Sequence, residues 1–210
     1  MQLRIKALHP MQAKVVTEST KFNVLACGRR WGKTLFGAQH IAIPHLLNGY
    51  PVGWFAPSYD LMAQAWEMVI ETCRGYPAII ERKKDSAIID SASGGRIDFW
   101  TMASSSSDRS KVGRGRKYKV VILDEFAHAR YPEADWTKSI SPTLADLDGG
   151  AWFLSTPWGR NYFWQLWSRG ESHRNWSSWQ MPTRSNPYIP TAAIERAKQD
   201  LPADAFAQEY

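Results

Sequence analysis

The stretch Phe22-Asn23-Val24-Leu25-Ala26-Cys27-Gly28-Arg29-Arg30-Trp31-Gly32-Lys33-Thr34 decides the fold. Phe22 to Ala26 reads as a short apolar strand. Leu35 to Leu47 carries the apolar spacing of a helix, ended by Pro44 or Asn48-Gly49. Between them lies a basic turn close to G-x-x-x-x-G-K-[ST], the loop that cradles phosphates. Gly32, Lys33 and Thr34 fit that pattern, whereas Cys27 stands where the first glycine belongs and Gly28 comes one residue late. A phosphate chain needs a turn tight enough to aim several backbone N–H groups inward, with a helix N-terminus behind them. Gly28 is expected to supply backbone freedom from its shifted place. Lys33 is expected to reach the β- and γ-phosphates, and the Thr34 hydroxyl to hold Mg²⁺. Gly28, Arg29, Arg30, Trp31, Gly32, Lys33 and Thr34 thus form the expected ATP-binding loop, although Trp31 has no account in the sequence alone. A basic loop that merely contains Gly-Lys-Thr is the bland alternative.

A second element weighs against that alternative. Val120-Val121-Ile122-Leu123-Asp124-Glu125 is four apolar residues ending in two carboxylates. A buried strand that delivers an acid at its C-terminal end is what a Mg²⁺ ligand requires, because ligands gather at that edge of a parallel sheet. Asp124 is the expected metal ligand. Glu125 is placed to orient and deprotonate an attacking water, which favours ATP hydrolysis over nucleotide binding alone. Gln12, in Leu8-His9-Pro10-Met11-Gln12 ahead of the first strand, can pair its amide with an adenine edge. Ser155-Thr156-Pro157 follows an apolar strand at Ala151 to Leu154, where a hydroxyl can sense the γ-phosphate and pass on its loss.

The remaining pattern alternates strands with helices. Val52 to Ala56 reads as a strand, and Ser58 as the N-cap of a helix running to about Cys73. Ala87 to Asp90 and Arg96 to Thr101 read as a hairpin around Ser93-Gly94-Gly95, and Ala134 to Leu144 and Arg160 to Trp167 as helices. The expected fold is α/β: a P-loop NTPase of the ASCE type, with a mainly parallel sheet covered by helices on both faces. From about Trp176 prolines punctuate the chain before helices near Ala192 to Gln199 and Ala203 to Tyr210. The expected division is a core over 1–175 and a small C-terminal helical subdomain over 176–210.

Composition narrows the class. The 210 residues carry 26 Lys+Arg against 20 Asp+Glu, a net charge of +6, with 44% hydrophobic residues, as in a globular domain. No apolar run approaches a membrane span, and the N-terminus lacks a secretory stretch. Cys27 and Cys73 make neither a disulfide framework nor a zinc site. These features point away from secreted, membrane-spanning and zinc-finger classes. Six basic residues and no acid fall between Arg109 and Lys119, interleaved with Gly113 and Gly115, so this run reads as a loop suited to anionic partners. Arg82, Lys83 and Lys84 form a smaller basic group that suits DNA phosphates or simply a solvated turn. Of the eleven tryptophans, Trp152 and Trp164 lie in apolar-periodic segments and read as packing residues.

Taken together, Leu8-His9-Pro10-Met11-Gln12, the deviant phosphate loop with an early arginine, Val120 to Glu125 and Ser155-Thr156-Pro157-Trp158-Gly159-Arg160 resemble the ATPase domain of large terminase subunits, the genome-packaging motors of tailed bacteriophages. Leu201 to Tyr210 resembles the segment where such domains hand over to a nuclease domain, so no nuclease activity is expected of this chain. The resemblance implies that Gln12 is the adenine-motif residue, Arg29 the loop arginine with a catalytic part, and Asp124 and Glu125 metal ligand and catalytic acid. Ser155, Thr156 and Pro157 would form the coupling motif. It also implies an arginine supplied by a neighbouring subunit in a homo-oligomeric ring, with Arg114 the best candidate and Arg116 or Arg109 the substitutes. Such a guanidinium accelerates phosphoryl transfer by on the order of 10³- to 10⁵-fold. Double-stranded DNA, a portal protein and a small terminase subunit are the implied partners, and the host cytoplasm the implied location. Two rival readings stay open: a helicase-like DNA-dependent ATPase, and a nucleotide-binding DNA or ring scaffold without turnover.

Overall fold

The computed structural model describes residues 3–77, 79–83, 88–102, 112–113 and 115–210, with 80–83 and 88 described by backbone alone. Helix α1 (Pro10–Thr17) leads into strand β1 (Phe22–Cys27). After the glycine turn come α2 (Lys33–Phe36), a π-helical turn over Gly37–Ala42, and α3 (Ile43–Leu47). Pro44 therefore does not end this helix. The wider turn just before it opens the hydrogen-bond ladder where the proline has no N–H to give, and the chain stops instead at Gly49, whose φ is 83°. Strand β2 (Pro51–Ala56) is followed by α4 (Tyr59–Thr72), capped by Ser58 accepting from the Leu61 N–H. Three antiparallel strands come next, β3 (Ile79–Lys83), β4 (Ile88–Ser91) and β5 (Arg96–Thr101). Then follow β6 (Val120–Asp124), α5 (Pro132–Asp135), β7 (Gly150–Ser155), α6 (Tyr162–Ser168), β8 (Trp176–Met181), α7 (Thr191–Asp200) and α8 (Ala203–Glu209).

Among the described residues, eight strands form one sheet in the order β3-β4-β5-β2-β6-β7-β1-β8. From β5 to β8 every pairing is parallel. Between β1, which ends in the glycine loop, and β6, which ends in Asp124, the sheet inserts β7. That inserted strand marks a P-loop NTPase fold of the expected type. It carries Ser155 to the same sheet edge, between the two motifs.

Strand alternation splits the core between the sheet's faces. On one face Leu25, Trp54, Ile122, Trp152 and Leu154 pack with Val15, Phe36, Ile41, Leu46 and Val69 from α1 to α4. On the other, Val24, Phe55, Val121, Leu123 and Phe153 pack with Trp136, Ile140, Phe163 and Leu166. Each such buried side chain contributes roughly 1.5–3 kcal/mol of apolar transfer. Gly37 permits close helix–sheet packing, since a Cβ there would lie 2.9 Å from Leu154 and 3.0 Å from Trp54.

Three expectations change. Strand β8 pairs with β1, so the sheet extends past residue 175 through Met181. Arg82 and Lys83 lie in edge strand β3 rather than in a turn, and Lys84 falls outside the described residues. Trp152 is buried as expected, but Trp164 is 41% exposed, with the Arg160 guanidinium 5.5 Å above its ring.

Candidate nucleotide-binding site

Parallel strands β1, β7 and β6 end side by side, which brings the motifs together. The loop after β1 takes left-handed conformations at Arg30 (φ 63°) and Gly32 (φ 97°). Gly28 is not among the positive-φ residues, so its expected role in loop freedom does not hold. It is glycine because the chain's C-terminal part crosses it: a Cβ would stand 2.4 Å from Thr183 Oγ1 and 2.8 Å from Thr183 N.

Lys33 opens α2 and is buried. Its Nζ donates to Thr156 Oγ1 at 3.1 Å and to the Cys27 carbonyl at 3.4 Å, and lies 3.6 Å from Glu125 Oε1. Thr34 Oγ1 donates to Asp124 Oδ2 at 2.9 Å. Asp124 Oδ1 is buried without a hydrogen-bond partner. Burial and the neighbouring Glu125 charge raise the Asp124 pKa to about 7. An unpaired carboxylate oxygen beside a hydroxyl is a donor set that a hard divalent cation fits.

Glu125 adopts a left-handed backbone (φ 48°) at the start of a short 3-10 turn, Phe126–His128. Such strain is held in place by its surroundings and concentrates at functional sites. Its Oε2 accepts from Ser155 Oγ at 3.3 Å and from the Thr156 N–H at 3.4 Å, with His128 Nε2 at 3.8 Å. Ser155 Oγ also accepts from the Ala127 N–H at 3.1 Å. The two hydroxyl residues thus bridge the lysine and the glutamate, while half-buried Pro157 follows them out of the sheet. A cavity of about 690 Å³ is lined by Arg29, Lys33, Thr34, Glu125, Thr156 and Glu209, among others.

Arg29 is held by Glu209. Its Nε donates to Glu209 Oε2 at 2.5 Å and its backbone N–H to the Glu209 carbonyl at 2.6 Å. The Glu209 carboxylate raises the Arg29 pKa by hydrogen bonding and charge. Sequence reasoning missed Glu209, since no spacing rule links residues 180 positions apart.

Gln12 reaches the other side of the loop. The His9 N–H donates to Gln12 Oε1 at 3.3 Å and the Gln12 N–H to His9 Nδ1 at 3.4 Å, capping α1. That leaves the Gln12 amide nitrogen beside Gly32, where an added Cβ would lie 3.2 Å away. Trp31, unexplained by sequence, is fully buried: its indole N–H donates to Ser185 Oγ at 2.9 Å and its ring meets His9 edge-on at 5.0 Å.

Arg109 and Arg114 fall outside the described residues. Arg116 sits 3.6 Å from buried Asp98, which also accepts from the Tyr118 hydroxyl at 3.0 Å. Lys117 pairs with Asp146 at 2.7 Å, and Lys119 Nζ donates to the Leu147 carbonyl. The described cations of this basic run therefore have partners inside the chain.

No family model matches the chain. It is 32% identical over 193 residues to the large terminase subunit of Escherichia phage T5, covering 89% of this chain and 42% of that protein. Among solved structures, the large terminase ATPase domain of Thermus phage P74-26 superposes with a TM-score of 0.80 at 21% identity, covering 97% of this chain and 92% of that one. The large terminase of a thermophilic bacteriophage, in complex with ADP, superposes with a TM-score of 0.74 at 14% identity, covering 96% of this chain and 52% of that one. The chain spans less than half the length of the curated relatives it matches.

Proposed function

The chain being a homologue of phage large terminase subunits, built on the fold of their ATPase domains, we propose that it hydrolyses ATP with Mg²⁺ and drives double-stranded DNA into a procapsid. The observation that carries this reading is the convergence of Lys33, Thr34, Glu125 and Thr156 on one cavity at the C-terminal edge of three parallel strands, with Asp124 hydrogen-bonded behind Thr34.

Lys33 leaves Glu125 and Thr156 to bind the β- and γ-phosphates, helped by the backbone N–H groups of its loop. Thr34 and Asp124 would hold Mg²⁺, which would supply charge neutralisation at the phosphate oxygens. Glu125, released by Lys33, takes a proton from the attacking water. Thr156 touches both Lys33 and Glu125, and Ser155 touches Glu125, so gain or loss of the γ-phosphate shifts their hydrogen bonds and is passed along β7. The Gln12 amide contacts adenine. Arg29 serves the γ-phosphate after leaving Glu209, and Arg114 of one subunit completes the site of the next in a ring.

DNA is the track. The net charge of +6 favours polyanion binding, and Arg82, Lys83 and Lys84 are the proposed contacts to its backbone. A portal protein and a small terminase subunit are the proposed assembly partners, in the host cytoplasm. We assign the C-terminal helices to a small linking subdomain, and nuclease activity forms no part of the proposal. The test is phosphate release with and without Mg²⁺ and DNA. Mg²⁺-dependent release in the parent, lost in Glu125→Gln, supports a hydrolase. Nucleotide binding with no release at any protein concentration would leave only a scaffold.

A further inference from the structure

Beside the phosphate cavity lies a second one of about 770 Å³, a volume suited to a small-molecule ligand. His9, Gln12, Trp31, Asn186, Tyr188 and Ile189 line it. Arg30, Gly32 and Leu35 border both cavities, so the two lie side by side against the glycine loop. The Tyr188 ring is 71% exposed at the edge of this cavity.

Its backbone is nonetheless fixed. The Asn186 side chain is buried, with Nδ2 donating to the Arg30 carbonyl at 2.8 Å and Oδ1 accepting from the Tyr188 N–H at 3.0 Å. One residue earlier, Ser185 accepts from the Trp31 indole. Thr183 Oγ1 donates to the Arg29 carbonyl at 2.7 Å. The segment from Thr183 to Ile189 is therefore strapped onto the loop that binds phosphates, and it presents an aromatic ring at the cavity lip. Burial lowers the His9 pKa.

Resting on the nucleotide reading of the neighbouring cavity, we infer that Tyr188 is a base-binding residue, stacking on the purine ring whose edge meets Gln12. The hydroxyl is not required, because the ring face supplies the contact. This assignment explains the buried Trp31, which anchors the strap that carries Tyr188.

The test compares two ligands with Mg²⁺ by calorimetry: ATP, and inorganic tripolyphosphate, which lacks a base. A base stack is worth on the order of a tenfold change in affinity. Tyr188→Ala is expected to weaken ATP about tenfold and leave tripolyphosphate within about twofold, while Tyr188→Phe matches the parent. Unchanged ATP affinity in Tyr188→Ala, or a parallel loss of both ligands, overturns the assignment. A parent that binds ATP no better than tripolyphosphate also overturns it, while leaving the phosphate site intact. A parent that binds neither ligand removes the nucleotide reading itself.

Discussion

The Lys33 ammonium stands 3.6 Å from Glu125 Oε1, inside a cavity that also receives the Glu209 carboxylate. In this arrangement the cation that would meet a triphosphate is held by the acid that would later act on water. Substrate binding and activation of the acid thus draw on one contact.

Separate substitutions should divide those two roles. Lys33→Ala is expected to lower ATP affinity roughly 100-fold, because a buried charge-assisted contact is lost. Glu125→Gln is expected to keep affinity within a few-fold and to cut turnover by about 10²- to 10⁴-fold. Equilibrium binding and single-turnover phosphate release measure the two effects independently.

Arg29 pairs with Glu209 and lines the same cavity as Lys33. Replacing Glu209 by Gln removes a carboxylate that competes with the triphosphate for this guanidinium. ATP affinity should rise roughly two- to five-fold, the scale of an exposed ion pair. In an Arg29→Ala background the gain should vanish. A titration of both single variants and the double variant at low salt provides the check.

Asp124 should destabilise the ligand-free protein. Its folded pKa, raised to about 7 by burial and Glu125, exceeds the ordinary unfolded value near 4. The folded state then holds the extra proton between those values, so stability falls as pH rises from about 4 to 7 and levels off above. Asp124→Asn lacks this term and should be more stable than the parent at pH 8, by on the order of 4 kcal/mol at about 1.4 kcal/mol per pH unit. Urea melts at several pH values would show the curves converging near pH 4.

Gly28→Ala should destabilise by roughly 1–3 kcal/mol, because the new Cβ strikes both the side chain and the backbone nitrogen of Thr183. Thr183→Ala removes the hydroxyl and methyl but leaves the backbone nitrogen 2.8 Å from the new Cβ, and should not restore the variant. Thermal denaturation of the two single variants and the pair would settle the order.

Much of the site was legible because its signals are local. Gly32-Lys33-Thr34 after an apolar strand, and four apolar residues ending in Asp124-Glu125, each announce a strand end with a chemical group attached. Period-two and helical spacing located β2, α4 and β7, and Ser58 was readable as a cap. Strand β3 was missed because its charged residues, Glu81 to Lys83, hide the alternation at a sheet edge. Strand β8 does not announce itself in the sequence, since Trp176-Ser177-Ser178-Trp179 interrupts its aromatics with half-exposed serines rather than forming the apolar run of an interior strand.

By itself the sequence determined which chemical groups the chain owns and which strand ends present them, since hydrophobic period and loop composition act over a few residues. Only the tertiary structure decided that Gly28 makes room for Thr183, that Trp31 anchors Ser185, and that Arg29 meets Glu209. Those partners lie more than 150 positions apart along the chain. Their contacts follow from sheet order and close packing, which bring distant backbone together in ways no local pattern encodes.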